Sequence, residues 1–234
     1  PNSLGSYLLI IVFLIPSVIK SRRKQIVCGL LVLLCLWLTF SRGAVLGFIA
    51  GLAAYIVLKN RNQKIIKLSA KKLIFPLVTI LIVVTGGLMI FRNSYLVQNV
   101  ILHADQQTVL EDPNQLRLRF FKESLVRIYH NPFGSGPGTA GIVSIRNQTQ
   151  GTILNENYYL QIATEVGLLG LALFLAIIIL TAKRLYEARA PESLALLASL
   201  AGLLLTSLLI HTWSNEALAY TWWGLAALNL KEKG

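Results

Sequence analysis

The sequence is short of charge: only 14% of its 234 residues are Asp, Glu, Lys or Arg, against 55% hydrophobic residues and a mean hydropathy of +0.63. A soluble domain of this length needs far more charge to cover its surface, so a water-soluble globule is excluded. Cysteine is nearly absent. Cys28 and Cys35 stand seven residues apart in one apolar run, which places them on one helix face, where they pack rather than bridge. There are three histidines, and no Cys/His cluster has zinc-ligand spacing, so no metal and no cofactor are expected. The chain starts at Pro1 rather than a methionine and shows no signal peptide; further spans are expected to precede it.

What the chain does contain is long apolar runs separated by short basic punctuation, the pattern of membrane spans. Seven are read: Leu4–Ile19, Gln25–Phe40, Ala44–Leu58, Leu73–Phe91, Tyr159–Ala182, Glu192–Trp213 and Ala217–Leu230. The expected fold is an all-α integral membrane protein, with residues 1–234 as a single membrane domain. The net charge of +12 does not indicate nucleic acid, because the basic residues gather at the ends of apolar runs instead of on one polar surface. Four lie in Lys20–Lys24, six in Lys59–Lys72, three in Lys183–Arg189, and two at Lys231 and Lys233. These segments alternate along the chain, so the positive-inside rule makes them cytoplasmic and places the C-terminus inside.

The other seven basic residues, Arg42, Arg92, Arg117, Arg119, Lys122, Arg127 and Arg146, fall on the external side against that rule. Most belong to one long external segment, residues 92–158. A connection this long is usually functional or disordered. It carries an amphipathic helix signal over Gln115–His130, with Leu118, Phe121, Leu125, Ile128 and Tyr129 on one face and Arg119, Glu123 and Arg127 opposite. The charged residues are spaced to pair at i,i+4, and such a helix suits the bilayer surface, with Arg117 and Lys122 at headgroup depth.

Four places carry chemistry. Ser41-Arg42-Gly43 closes the second span externally; an isolated arginine there also fits snorkelling to headgroups, but a guanidinium binds phosphate with a fixed fork and stays charged when partly desolvated. Asn131-Pro132-Phe133-Gly134-Ser135-Gly136-Pro137-Gly138 lacks the strand and lysine of a nucleotide loop. It reads as a sharp turn whose backbone amides are open to an anion. Glu156-Asn157 and then Glu165 stand at the mouth of the fifth span. Intramembrane carboxylates are costly and point to function, although Glu165 fits a pairing role with a basic residue equally well. Glu156, at the boundary, suits a proton acceptor. His211 lies at the external end of the sixth span, where a packing role is as good a reading as a chemical one; His103 and His130 are loop residues.

Ser-Arg-Gly after a span, then Arg117, Phe121 and Pro132-x-Gly134-x-Gly136-x-Gly138, then Asn157-x9-Gly167-x2-Gly170 together resemble the O-antigen ligase/Wzy polymerase superfamily. Their order, spacing and common external side carry the resemblance over nearly the whole chain. It implies an enzyme: a metal-independent glycosyltransferase of the bacterial cytoplasmic membrane with its active site outside. Its donor would be a glycan on undecaprenyl pyrophosphate, and its acceptor a hydroxyl of a glycan or lipid-glycan in contact with membrane lipid. Arg42 and Arg117 fall where family arginines hold the pyrophosphate. In the ligases a histidine precedes the asparagine, and Glu156 stands there here, which favours a polymerase or another branch over the lipid A core ligases.

The chemistry is consistent with that implication. Arginines at the bilayer surface stabilise charge developing on a departing diphosphate. Glu156 then serves as general base for the acceptor, helped by any rise in its pKa near the lipid. Arg119, Asn157, Glu165 and His211 are expected to contact substrate. A bicarbonate-type transporter is the competing expectation, and a non-catalytic scaffold a third. Against transport, no paired repeats or interrupted helices mark a midplane site, and the ionisable groups cluster on one side.

Overall fold

A computed structural model of the chain describes residues 2–63, 113–145 and 156–231, and the described residues are helical with no strand. The helices are α1 (Asn2–Val18), α2 (Arg22–Leu38), α3 (Arg42–Gln63), α4 (Pro113–His130), α5 (Tyr158–Glu165), α6 (Gly167–Ala188), α7 (Pro191–Thr206) and α8 (Glu216–Lys231), with single 3₁₀ turns at Ile142–Ile145 and Thr212–Ser214. The span expected at Leu73–Phe91, His103, Arg92 and Arg146 lie outside the described residues. Among the described helices, two are long and apolar enough to cross a membrane, Arg42–Asn60 and Gly167–Ala188; Asn2–Val18 and Pro191–Thr206 are apolar but shorter.

The core forms where α1, α3 and α7 meet, and small residues make it possible. Gly47 and Gly51 on α3 face Ala198 and Gly202 on α7, each pair four residues apart. A Cβ on Gly202 would stand 2.5 Å from the Gly47 carbonyl oxygen, and one on Gly51 2.7 Å from the Ala198 carbonyl oxygen. Small residues at this spacing let helix backbones touch, the usual device where lipid removes the hydrophobic drive for association. Leu9 and Ile10 of α1, Leu196, Leu200 and Leu203 of α7, and Leu218 and Trp222 of α8 then fill the centre. The indole N–H of Trp222 donates to Ser199 Oγ at 3.1 Å, so the largest buried side chain leaves its polar atom satisfied. Gly202→Val is expected to force α3 away from α7 at a cost of at least ~1–3 kcal/mol. Gly224→Val, at a position with nothing within 4 Å of a new Cβ, is the matched control. Thermal unfolding in detergent reads the difference, and equal melting temperatures would contradict the packing.

These contacts fix helix direction. Gly43 lies beside Leu209, Gly47 beside Gly202 and Gly51 beside Ala198, so α3 and α7 run antiparallel. Gly5 lies beside Ala44 and Phe13 stacks on Phe48 at 5.8 Å, so α1 runs parallel to α3. One end of the bundle therefore gathers the α2–α3 turn, the end of α7 and the start of α8. The basic residues Lys20–Lys24, Lys59 and Lys183–Arg189 stand at the opposite end. Around the girth, Leu30, Leu31 and Leu34 of α2 and Leu173, Ile177 and Leu180 of α6 are exposed, far more contiguous apolar surface than a water-soluble monomer tolerates. Cys28 and Cys35 are free thiols, as their spacing requires.

Three sequence expectations change. The run Tyr159–Ala182 is two helices: α5 ends at Glu165 and α6 starts at Gly167, whose φ of +83° no side-chain-bearing residue adopts readily. The sixth run leaves the helix at Thr206, well before Trp213, because the chain turns there through Ile210 to the Thr212–Ser214 turn. The amphipathic helix is present as α4, but Ile128 does not share the face of Leu118. Phe120, Ser124 and Ile128 form the buried face, while Leu118, Phe121, Leu125 and Tyr129 make a second, exposed apolar stripe. One helix thus serves two apolar environments about a quarter-turn apart.

Candidate active site

The end of the bundle away from the basic loops is assembled by short polar links. Thr39 and Ser41 shape the α2–α3 turn: Thr39 Oγ1 donates to the Leu36 carbonyl at 2.7 Å, and Ser41 Oγ accepts from the Ala44 amide at 3.3 Å as the cap of α3. Phe40 bridges them in left-handed backbone, φ 50°. Arg42 is thereby the first residue of α3, exposed, and makes no ion pair among the described residues. A cation at the positive end of a helix is unfavourable alone and favourable with an anion between them.

Asn157 caps α5, its Oδ1 accepting from the Leu160 amide at 3.1 Å. The neighbouring Tyr158 amide donates to the Ser207 carbonyl at 2.9 Å, and Tyr159 Oη donates to the Leu204 carbonyl at 2.8 Å. These bonds seat the start of α5 on the end of α7, close to Leu209 and so to the Arg42-Gly43 turn. Glu156 precedes the cap, and its Oε2 lies 2.7 Å from Arg117 Nη2. The contact is a charge pair without an aligned hydrogen bond, since that oxygen, closed off from solvent, has no partner of good hydrogen-bond geometry. The two side chains are 51% and 38% exposed. A pair this open contributes little to stability, ~0–1 kcal/mol. His211 stands at the same end, partly buried, and leads into the Thr212–Ser214 turn.

Arg119 does not join this group. It pairs with Glu123 at 3.3 Å on its own helix, as the four-residue spacing predicts, and lies over the Phe120 ring. Arg127 Nη1 donates to the Thr139 carbonyl at 3.3 Å.

Glu165 belongs to a different assembly, at the far end of α5. The glycine-rich segment after α4 lies backbone to backbone on the α5–α6 break: the Ser135 amide donates to the Thr164 carbonyl at 2.8 Å, the Gly136 amide to the Glu165 carbonyl at 3.0 Å, and the Leu168 amide to the Pro132 carbonyl at 2.8 Å. A Cβ on Gly134 would stand 2.5 Å from the Glu165 carbonyl oxygen, and one on Gly167 2.6 Å from the Pro132 carbonyl oxygen. Only glycine fits either side. The amides of this loop do meet an anion, and it is internal: Gly138 and Ala140 both donate to Glu165 Oε1 at 3.2 Å. This replaces the expected pairing of Glu165 with a basic side chain. Glycine spacing in both segments was the available signal, but not that the two interlock.

Glu165 precedes the spanning helix α6, and burial pushes its carboxyl above the usual range, although the amides of Ala140 and Gly138 and the side chain of Gln161 pull the other way. A carboxyl raised on folding contributes stability below its unfolded pKa and loses it as pH rises through the folded value. Glu165→Gln keeps an acceptor without the buried charge. It is expected to raise the melting temperature near neutral pH, and the gain should vanish toward pH 4, the ordinary carboxyl range. A pH-independent difference would contradict the assignment.

The described fold and this polar end define a class: an all-helical bundle with an apolar girth and a guanidinium–carboxylate cluster at one end. The family model described as O-Antigen ligase matches residues 26–175, and the chain belongs to that family. The match includes Arg42, Arg117, Glu156, the glycine loop and the α5–α6 break. Its function is accordingly of the glycan ligase or polymerase type. No curated protein and no solved structure matches the chain.

Proposed function

We propose that the protein transfers glycan from an undecaprenyl-pyrophosphate carrier to an acceptor hydroxyl at the outer face of the bacterial cytoplasmic membrane. The basic loops at one end of the bundle lie inside under the positive-inside rule, which puts the Arg42 and Arg117–Glu156 end outside. The observation that carries the reading is the Arg117–Glu156 contact of 2.7 Å, seated on the same end of the bundle as Arg42. It brings together a diphosphate-binding cation and a carboxylate base.

The pair suggests an exchange of partners. At rest Arg117 is held by Glu156. A carrier diphosphate, with more charge than one carboxylate, draws the guanidinium away together with Arg42. Glu156 is then free to accept the proton of the acceptor hydroxyl. The hydroxyl oxygen attacks the anomeric carbon of the donor, the bond from that carbon to the diphosphate oxygen breaks, and undecaprenyl pyrophosphate leaves with the electron pair. The two arginines stabilise the charge that develops on it. As drawn, the step uses no metal. Asn157 and His211 are assigned to contact the acceptor. A polymerase, whose acceptor is another carrier-linked glycan, is favoured over a lipid A core ligase by Glu156 at the place of the ligase histidine.

The test is transfer by the complete protein in proteoliposomes, from a defined undecaprenyl-pyrophosphate glycan to carrier-linked and lipid A core acceptors. Product formation with the carrier-linked acceptor is expected. Bicarbonate flux without any product would overturn the proposal in favour of transport.

A further inference from the structure

The Arg117–Glu156 pair links α4 to the residue that precedes the cap of α5. α4 lies far from α5 in sequence, yet packs against it, and Phe120, Ser124 and Ile128 are buried on α4. Near the start of α4 the link is Arg117 to Glu156. Past its end the link is the glycine loop on the α5–α6 break, which begins at Asn131, directly after His130. The two helices therefore run parallel and are pinned at both ends. At the second pin Glu165 Oε1 receives two amides of the loop beyond Ser135 and Gly136, those of Gly138 and Ala140. Thr139 Oγ1 donates to the Gly136 carbonyl at 2.7 Å and the Thr139 carbonyl accepts from Arg127 of α4, so the portion that Glu165 holds is bonded back to α4 itself.

We infer that Glu165 is a positioning residue: by holding the Gly138 and Ala140 amides it fixes the glycine loop and the end of α4, and so sets where α4 presents Arg117 to the diphosphate. Glu165 closes α5, an eight-residue helix about 12 Å long at ~1.5 Å per residue, and Glu156 lies before the cap at its other end. Glu165 acts through the loop and not on the reacting atoms. What the clamp requires is an acceptor oxygen at that place; the negative charge is secondary.

This deepens the proposed transfer reaction and rests on it for the activity readout, whereas the structural readout stands apart from it. The full chain in proteoliposomes is compared with Glu165→Ala and Glu165→Gln. Hydrogen exchange is expected to show lost protection in Glu165→Ala over residues 131–141 and over α4, with Glu165→Gln close to the parent. In the transfer assay Glu165→Ala is expected to lose up to about 100-fold, the scale of a 1 Å misplacement, mostly in kcat. Glu165→Gln should retain transfer within about threefold, since Gln still accepts both amides. Loss of transfer in Glu165→Gln equal to that in Glu165→Ala would make Glu165 a proton-transfer group and overturn the inference. Unchanged protection of α4 in Glu165→Ala would overturn it as well. If the parent protein forms no product, the transfer proposal fails while the exchange result still decides the clamp.

Discussion

Replacing Arg117 with alanine is expected to lower glycan transfer by roughly 10²–10³-fold, the cost of removing one preorganised group from developing charge in a transition state. The argument depends on where the guanidinium stands. It touches Glu156 at 2.7 Å while half exposed, so it contributes little to folding and is open to a ligand. Loss of activity should therefore come without loss of structure, and the melting temperature should move only slightly. Arg117→Lys should recover part of the rate, because an ammonium supplies charge but not a two-pronged contact. The charge-reversed pair, Arg117→Glu with Glu156→Arg, restores the contact but moves the guanidinium off α4 to the residue before the cap of α5. It should fold and remain inactive. Full transfer by Arg117→Ala would end the account of the diphosphate site.

The second large effect is expected at Glu156. Glu156→Gln preserves the size of the side chain and an acceptor oxygen but cannot take a proton, so the rate of transfer should fall about 10²–10⁴-fold, the range for general-base catalysis. Donor affinity should move the other way or not at all. With no carboxylate to hold it, Arg117 is released toward the diphosphate, and the KM for donor should stay level or fall while kcat collapses. This split separates the base from Arg117, whose removal should damage both constants. A Glu156→Gln protein with undiminished kcat would show that the acceptor proton goes elsewhere.

Much of this could be read in advance. The apolar runs, the basic punctuation and the helix over Gln115–His130 follow from transfer energies and periodicity, which act locally along the chain. Arg117 stands out as a cation away from the expected basic loops, and Glu156 as a carboxylate at the mouth of an apolar run. Their contact was not legible, since residues thirty-nine apart share no local signal. The role of Glu165 was hidden for a similar reason: a carboxylate in an apolar run signals cost, and only the folded loop shows that two backbone amides offset it. The helix break at Gly167 has no local signal, because its hydrophobic surroundings argue for continuity, while the positive φ of +83° goes with the loop packed against it. The close approach of α3 and α7 through Gly47, Gly51, Ala198 and Gly202 does have a sequence signal, the four-residue spacing of small residues.

The chain by itself thus determined composition, helicity and the segregation of basic residues, because these depend on how each segment meets lipid or water. Tertiary structure alone decided which ends of the helices coincide and which cation faces which carboxylate. It also decided that an internal carboxylate occupies the amides of the glycine loop. Such choices depend on backbones approaching within contact distance, and that approach is set by small residues far apart in the chain.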